Sequence, residues 1–560
     1  MEVISLKNIR GIEKALIIAL LLILMVMPIL CILLTSIFSN GKLDISAPFL
    51  MLFTGEVKNV FVNTMVLGIL VVITTTVFAL PLAFIMTKTS FAKYKWLEVV
   101  LMIPFMTPPY IESMGWILFM QPNGYWDQFI RFPIKLNQHF FNLFGMVLVM
   151  SLQIFPFLYL ILKNAIVKIG VSKEEAAYVH GGKKSYVFCK ITIPLLISSY
   201  SIGALLVFVK TISEFGTPIT FGKRISFYVL TTEIHQYVSN WPIDFAKATA
   251  LASILLTTCL GLWYISSIVN TRYSYNLVSG KGTSVKVYKL TISKKIIAWM
   301  YVILLLGASI GIPYFSILIA SIMKLRSGGL SINNLTFDHY IKLLSTNSDG
   351  MKALLNTLGV AFIATSICML LGTIFAISVK RSKKLSEKII DFFSLLPNTI
   401  PGIVMVVGLI LFWNSKWMVV PLYNTYGMVV LTYVILFIPY TVQYVKANYI
   451  QIDESLFNAG RVFGGKGFYI LRRITLPLLV PGMLAGWLMT FIISIRELVA
   501  ALMILPPSMQ TASTYIYSQF EQGNLNLGMA MAVICVIITI IMIMVINKLS
   551  GLLKLGGTIS

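Results

Sequence analysis

Apolar runs of about twenty or more residues alternate with short polar segments along the whole chain. A helix that crosses a bilayer needs about 20 mostly apolar residues, and twelve stretches qualify. Six lie at 15–38, 60–86, 96–120, 143–166, 194–213 and 246–270. After a polar, basic stretch, six more follow at 296–323, 355–379, 388–412, 420–445, 477–496 and 527–547. Backbone amides in lipid find no water, so each span has to satisfy its own hydrogen bonds as a helix. The pattern predicts an all-α polytopic membrane protein of about twelve transmembrane helices, six in each half. Lys7, Arg10 and Lys14 precede the first run, which is longer than the apolar core of a signal peptide and has no A-x-A site after it, so it reads as a retained span.

The two sets of six repeat one another. Asn63-Thr64 opens the second run and Asn356-Thr357 the eighth. Pro104 and Pro108 match Pro397 and Pro401 at the same offset. Ile191-Thr192-Ile193-Pro194-Leu195-Leu196 matches Ile474-Thr475-Leu476-Pro477-Leu478-Leu479, and Ser213-Glu214 falls on Arg496-Glu497. Matched elements cross the membrane in the same sense, so this is a parallel duplication about an axis along the membrane normal. The expected division is an N-terminal half at 1–270, a linker at 271–295 and a C-terminal half at 296–560.

Charge sets the orientation. The net charge of +24 is not pooled on one soluble module, as a nucleic-acid binder would have it, but scattered in clusters between apolar runs. With both termini in the cytoplasm, the cytoplasmic segments hold 30 Lys and Arg and the outer loops 12, counting Lys163, Lys388 and Lys247 at span ends with the segments they adjoin. That is the bias the positive-inside rule requires. Only 11% of residues are charged against 58% hydrophobic, too few to coat a soluble fold of this size. The five cysteines form no CxxC pair and read as small packing residues.

One segment between the fourth and fifth runs carries distinctive chemistry. Glu174, Glu175, Ala176 and Ala177 lead to Gly181-Gly182, then to Ile191-Thr192-Ile193-Pro194. Ser172 and Glu175 have capping-box spacing, the alanines favour helix, and the glycines stop it. This predicts a short amphipathic helix at about 172–190. The pattern resembles the EAA loop of ABC importer permeases, E-A-A-x-x-x-G separated by nine residues from I-x-L-P. A second copy at about 453–473 has Asn458, Ala459, Gly460, Gly464 and Gly465, ending in Ile474, Leu476 and Pro477. It departs from the pattern with Asn458 in place of Glu and Gly460 in place of Ala, while Glu454 lies one turn earlier.

The resemblance covers both halves and implies a type I importer fold. It implies that each loop helix docks in a groove of a separate ATPase subunit, two in all, and that an extracytoplasmic binding protein delivers the solute. ATP and Mg would then sit on those partners, with no cofactor on this chain. The sequence agrees that the chain has no nucleotide site, because Gly182-Lys183-Lys184 lacks both the upstream glycine and the Ser or Thr of a phosphate loop. His139, His180, His235 and His339 are scattered and read as loop residues, which leaves no metal or catalytic set.

Ionisable residues in or beside apolar runs are candidates for the solute path. Glu112 lies within the third run, and Glu214 and Glu497 are repeat equivalents at the ends of the fifth and eleventh. Glu214 and Glu497 also read as interfacial residues pairing with Lys210 and Arg496. The segments around Glu214 and Arg496-Glu497 resemble those of fused two-half ferric-iron permeases, a group that merges with phosphonate, thiamine and polyamine permeases. Carboxylates suit Fe3+, whereas Arg496 and Lys210 suit an anion. An ion-driven secondary transporter would also have twelve spans and a repeat, but it has no use for paired coupling loops.

Overall fold

The computed structural model describes residues 13–39, 42–44, 46–53, 55–129, 136–169, 171–273, 287–379, 384–416, 418 and 421–555. Most of the 271–295 linker, including Ser279, lies outside them. Apart from a two-residue ribbon pairing Phe38–Ser39 with Lys42–Leu43, the described elements are helices. In chain order the first half contains α1 (Glu13–Ile37), α2 (Gly55–Lys88), α3 (Lys95–Met106), α4 (Pro109–Met120), α5 (Leu143–Ile169), α6 (Val171–Val179), α7 (Ile193–Ile212), α8 (Gly216–Thr220), α9 (Leu230–Ser239) and α10 (Phe245–Tyr273). The second contains α11 (Ile292–Ile322), α12 (Asp349–Val379), α13 (Leu385–Leu395), α14 (Gly402–Trp413), α15 (Tyr426–Gln451), α16 (Glu454–Val462), α17 (Leu476–Ile495), α18 (Val499–Ile504), α19 (Ala512–Glu521) and α20 (Leu525–Leu555).

Ten of the described helices are long and apolar enough to cross a membrane. The third run of each half is not a continuous span, contrary to the sequence expectation. It breaks at Thr107–Pro108 between α3 and α4, and at 399–401 between α13 and α14, where the segments 385–398 and 402–413 meet at 108°. The cause is local: Pro108 and Pro401 cap the second legs in extended backbone, with ψ of 131° and 133°, and the residue before a proline is pushed out of the helical region. Proline shapes the spans a second way. Four π turns are present among the described residues, at Leu22–Val26, Phe188–Thr192, Gly307–Gly311 and Leu471–Thr475. Each ends two residues before a proline, at Pro28, Pro194, Pro313 and Pro477. A proline offers no N–H to the carbonyl one turn back and crowds it, and the turn widens.

The helices gather into two compact units that do not follow the chain order. One comprises Phe49–Gln236 and Thr257–Thr336; the other comprises Met1–Pro48, Tyr237–Leu256 and Phe337–Ser560. Within the former, α11 packs on α4, and within the latter, α1 packs on α14. Each half of the sequence therefore lends its first span to the unit built from the other half. The seam is the same in both. A Cβ on Gly115 would meet Pro313 backbone at 2.7 Å, and one on Gly408 would meet the Pro28 carbonyl at 2.6 Å, so only glycine lets the spans approach this closely.

Inside each unit the fourth span is the centre. In α5 and α15 alike, 78% of the apolar window is buried, against 22% for α1. On α2, by contrast, Val62, Val66, Ile69, Ile73 and Val77 form an exposed apolar stripe at helical spacing. This is how a lipid-facing surface reads.

Candidate coupling loops and translocation site

The two EAA-like segments fold alike. Helix α6 ends at Gly181, where φ is +81°, and α16 ends at Gly464, where φ is +79°. The amide of Gly182 donates to the Ala177 carbonyl at 2.9 Å and that of Gly181 to Tyr178 at 3.0 Å. In the second copy, Gly465 donates to Gly460 at 2.9 Å and Gly464 to Arg461 at 3.0 Å. This pair of bonds around a left-handed residue is a Schellman stop, so the doubled glycines are read by backbone geometry. A π turn then leads to Pro194 or Pro477 and into α7 or α17.

The two helices start at equivalent positions, Val171 and Glu454. α6 begins at Val171, and the side chains of residues 171–174, including Ser172 and Glu174, lie outside the described set. α16 is capped by Asp453, whose Oδ1 accepts from the Ser455 amide at 2.8 Å, with Glu454 in its first turn. Asp453 was not singled out from sequence, although an acid just before a helix is the ordinary capping signal. Phe457 is buried with its ring 6.1 Å from that of Tyr449, which anchors α16 to the end of α15. Glu175, Ala176, Asn458 and Ala459 are exposed, and Ala177 and Gly460 half-buried. Asn458 Oδ1 accepts from Arg461. A Cβ on Gly460 would come within 2.7 Å of Ile474 Cδ1, the movable end of a side chain. The rims are apolar: Val179 is 84% exposed, Val462 83% and Phe463 89%.

At the far end of α7 and α17 a second duplicated arrangement appears. Glu214 Oε1 accepts from the Gly216 amide at 2.6 Å and Oε2 from Thr217 at 3.0 Å, capping α8. Glu497 Oε1 accepts from Ala500 at 3.0 Å, capping α18. The Glu214 carbonyl receives the Thr231 hydroxyl at 2.9 Å, and the Glu497 carbonyl receives that of Ser513 at 2.5 Å. The repeat pair Asn-Thr completes the clamp. Asn63 donates to the Tyr228 carbonyl at 3.2 Å and Asn356 to Gln510 at 3.1 Å. Thr64 Oγ1 accepts from Leu230 N at 2.9 Å and Thr357 Oγ1 from Ala512 N at 2.6 Å. Glu214 thus binds backbone amides, while Lys210 lies over the rings of Phe105 and Phe157, 5.9 and 5.4 Å from their centroids. His235 is in a helix rather than a loop, 5.2 Å from the Phe215 ring. Burial first, then the Lys223 charge, push its pKa down to about 4, so it stands neutral beside the clamp at physiological pH.

Glu112 belongs to one unit only. It sits in the first turn of α4, 1% exposed. Among the described residues neither of its carboxyl oxygens has a hydrogen-bond partner. Around it, Ser113 accepts from Thr220 of α8 at 2.9 Å, and Thr107 and Tyr314 share a hydroxyl contact of 2.6 Å. The repeat equivalents of Glu112, Ser113 and Trp116 are Met405, Val406 and Leu409, all buried and apolar. The polar break is thus confined to the unit that holds α4.

Comparison with known proteins accounts for the duplicated geometry. The family described as binding-protein-dependent transport system inner membrane component matches the chain twice, at residues 76–275 and 368–553. The chain belongs to that family. It is a multi-pass inner-membrane permease of two fused halves, and not itself a catalytic enzyme. A ferric transport system permease protein FbpB from Actinobacillus pleuropneumoniae is 27% identical, over 84% of this chain and 68% of its own length. A putative ferric transport system permease protein FbpB 1 from Haemophilus influenzae is 28% identical, over 82% and 72%. An Fe(3+)-transport system permease protein FbpB 2 from the same organism is 23% identical, over 89% and 91%.

Among the candidates read from sequence, the permease brings Glu214 to the clamp in one unit and Glu497 to its copy in the other. Glu112 lies next to Ser113, which accepts from Thr220 where α8 packs on α4. The candidate coupling residues lie at the opposite end of α7 and α17. The residues missed were the partners in the clamp, Thr231 and Ser513, because they come from separate helices. Their signal was present, since they sit at equivalent places just after the paired carbonyl contacts of Tyr228 and Gln510.

Proposed function

We propose that this permease imports ferric iron, delivered by an extracytoplasmic binding protein and driven by two ATPase subunits docked on α6 and α16. The observation that carries the drive mechanism is the duplicated helix with its Schellman stop, which presents an exposed apolar rim of Val179, Val462 and Phe463. Exposed apolar side chains on a polar loop mark a docking surface. The small residues at 176–177 and 459–460 let a partner's backbone approach. ATP and Mg are held by the ATPase subunits and no cofactor by this chain. The iron assignment draws on the cargo named for the relatives and on the carboxylates Glu112, Glu214 and Glu497, hard oxygen ligands suited to Fe3+. Both termini and the 271–295 linker are cytoplasmic, and the Glu clamps face outward. Uptake of radiolabelled ferric iron by cells that express the chain with its ATPase and binding protein tests the cargo. No uptake above that of cells lacking the chain would reject it.

Two further outcomes follow. A single cysteine at Ser279 should stay unlabelled by an impermeant maleimide in intact cells, and one at Asn347 should label. The reverse pattern would overturn the orientation. The two loops should also be unequal. Glu175 brings a charge where Asn458 brings none, and a charge-assisted hydrogen bond is roughly twice as strong as a neutral one. Glu175→Ala should therefore lower uptake more than Asn458→Ala, and equal effects with normal ATPase binding would contradict the asymmetry.

A further inference from the structure

Two ion pairs occupy the same place in the two units. Lys163 of α5 lies 2.6 Å from Glu98 Oε1 of α3, and Lys446 of α15 lies 2.5 Å from Asp391 Oδ1 of α13. The acids are related by the offset of 293 that relates Asn63 to Asn356, and the lysines by the offset of 283 that relates the coupling loops. The pair therefore occupies equivalent positions in the two halves. Other equivalents differ in charge: Glu175 corresponds to Asn458, and Glu112 to Met405. Here both charges are present in both halves, with the shorter Asp in place of Glu in the second. The side chains are 21% and 35% exposed in one copy and 23% each in the other. Such half-exposed pairs contribute little to stability, so stability is a weak reason to retain two of them.

Their position suggests a better one. Lys163 is eight residues before the start of α6, and Lys446 eight before the start of α16. Each lysine thus stands on the helix that runs into a coupling loop. Each acid stands on the first leg of the broken span. Beyond the proline break, the second legs α4 and α14 carry α8 and α18, the helices capped by Glu214 and Glu497. Within each unit a continuous set of contacts joins the coupling helix to the clamp, and the ion pair adds a charged contact to the packing of α3 on α5 and of α13 on α15.

We infer that Glu98–Lys163 and Asp391–Lys446 are positioning pairs that make the first leg of the broken span and the coupling-loop helix move as one body. They carry displacement of the coupling helix across the proline break to the clamp. This rests on α6 and α16 being the ATPase-docking helices.

The test uses the full chain purified with its ATPase subunits and reconstituted in liposomes, with radiolabelled ferric iron and the binding protein supplied. Glu98→Gln, Lys163→Gln, Asp391→Asn and Lys446→Gln are compared with the exchanged pair Glu98→Lys with Lys163→Glu. The single variants should retain their ATPase subunits and hydrolyse ATP at near the parent rate. Iron moved per ATP should fall roughly five-fold, the shift a pair of this exposure commands, and the exchanged pair should recover most of the loss. If the single variants move as much iron per ATP as the parent, the pairs transmit nothing. If yield, hydrolysis and uptake fall in step, or the exchanged pair is as uncoupled as the singles, the pairs are structural only and the inference is overturned. Failure of the docking reading shows separately, because the unmodified chain would then retain no ATPase subunit.

Discussion

Gly181→Val and Gly464→Val should each lower transport about ten-fold while leaving the spans inserted. Both glycines lie at φ near +80°, where a β-branched residue is a true outlier. The left-handed conformation costs an ordinary residue about 1–2 kcal/mol, or roughly ten-fold in the population of the correct stop. No atom of the described residues lies within 4 Å of a Cβ built at either position, so no clash with them is the cause. That separates two contributions. Asparagine tolerates positive φ. Gly181→Asn should therefore preserve the Schellman bonds, and any loss of ATPase binding in that variant measures the partner's approach. Co-purification of ATPase subunits with each variant, beside membrane yield, is the measurement. Normal ATPase retention and uptake in both valine variants would show that the stop is dispensable.

The second large effect concerns the clamp. Glu214→Ala removes the acceptor for the amides of Gly216 and Thr217, and Glu497→Ala that for Ala500. Loss of a helix cap costs on the order of 1 kcal/mol, so some yield should be lost with alanine. Glutamine removes the charge and keeps one acceptor oxygen, enough for the single Ala500 bond of Glu497 and for the Gly216 bond of Glu214, but not for the Thr217 bond to Oε2. With a ferric cargo, Glu214→Gln and Glu497→Gln should lower iron uptake about ten-fold at normal yield, in line with a lost charge-assisted contact of 1.5–3 kcal/mol. Arg496→Gln should do less. If Arg496→Gln proves the more damaging, the cargo is an anion, because guanidinium offers paired donors to oxyanions. If all three variants transport normally, Glu214 and Glu497 serve only as caps.

Much of this architecture is written in the apolar pattern, because lipid leaves a span no other way to satisfy its backbone. The coupling loops were legible for a different reason. Their glycines, alanines and prolines each fix a backbone feature locally, and the Schellman stops at Gly181 and Gly464 follow from them. What was hidden is tertiary. Pro104 and Pro108 were visible as a repeat of Pro397 and Pro401, yet a proline inside an apolar run does not announce whether it kinks a span or ends it. That α1 joins α14 and α11 joins α4 depends on Gly408 meeting Pro28 and Gly115 meeting Pro313, contacts between residues far apart in the chain. Glu214 read as either a path residue or a partner of Lys210. Its role as a cap needed the α7–α8 turn, which lies just beyond the end of the 194–213 run. The Glu98–Lys163 pair needed the packing of α3 on α5.

In the proposed division of labour, the chain translocates and separate subunits hydrolyse ATP. Purifying the chain from membranes that contain its partners, and measuring bound subunits and hydrolysis together, is the decisive measurement. The expected result is two ATPase subunits per chain, hydrolysis by the complex, and none by the chain once those subunits are stripped away. Hydrolysis by the stripped chain, or uptake that survives ATP depletion and collapses with the ion gradient, would contradict it.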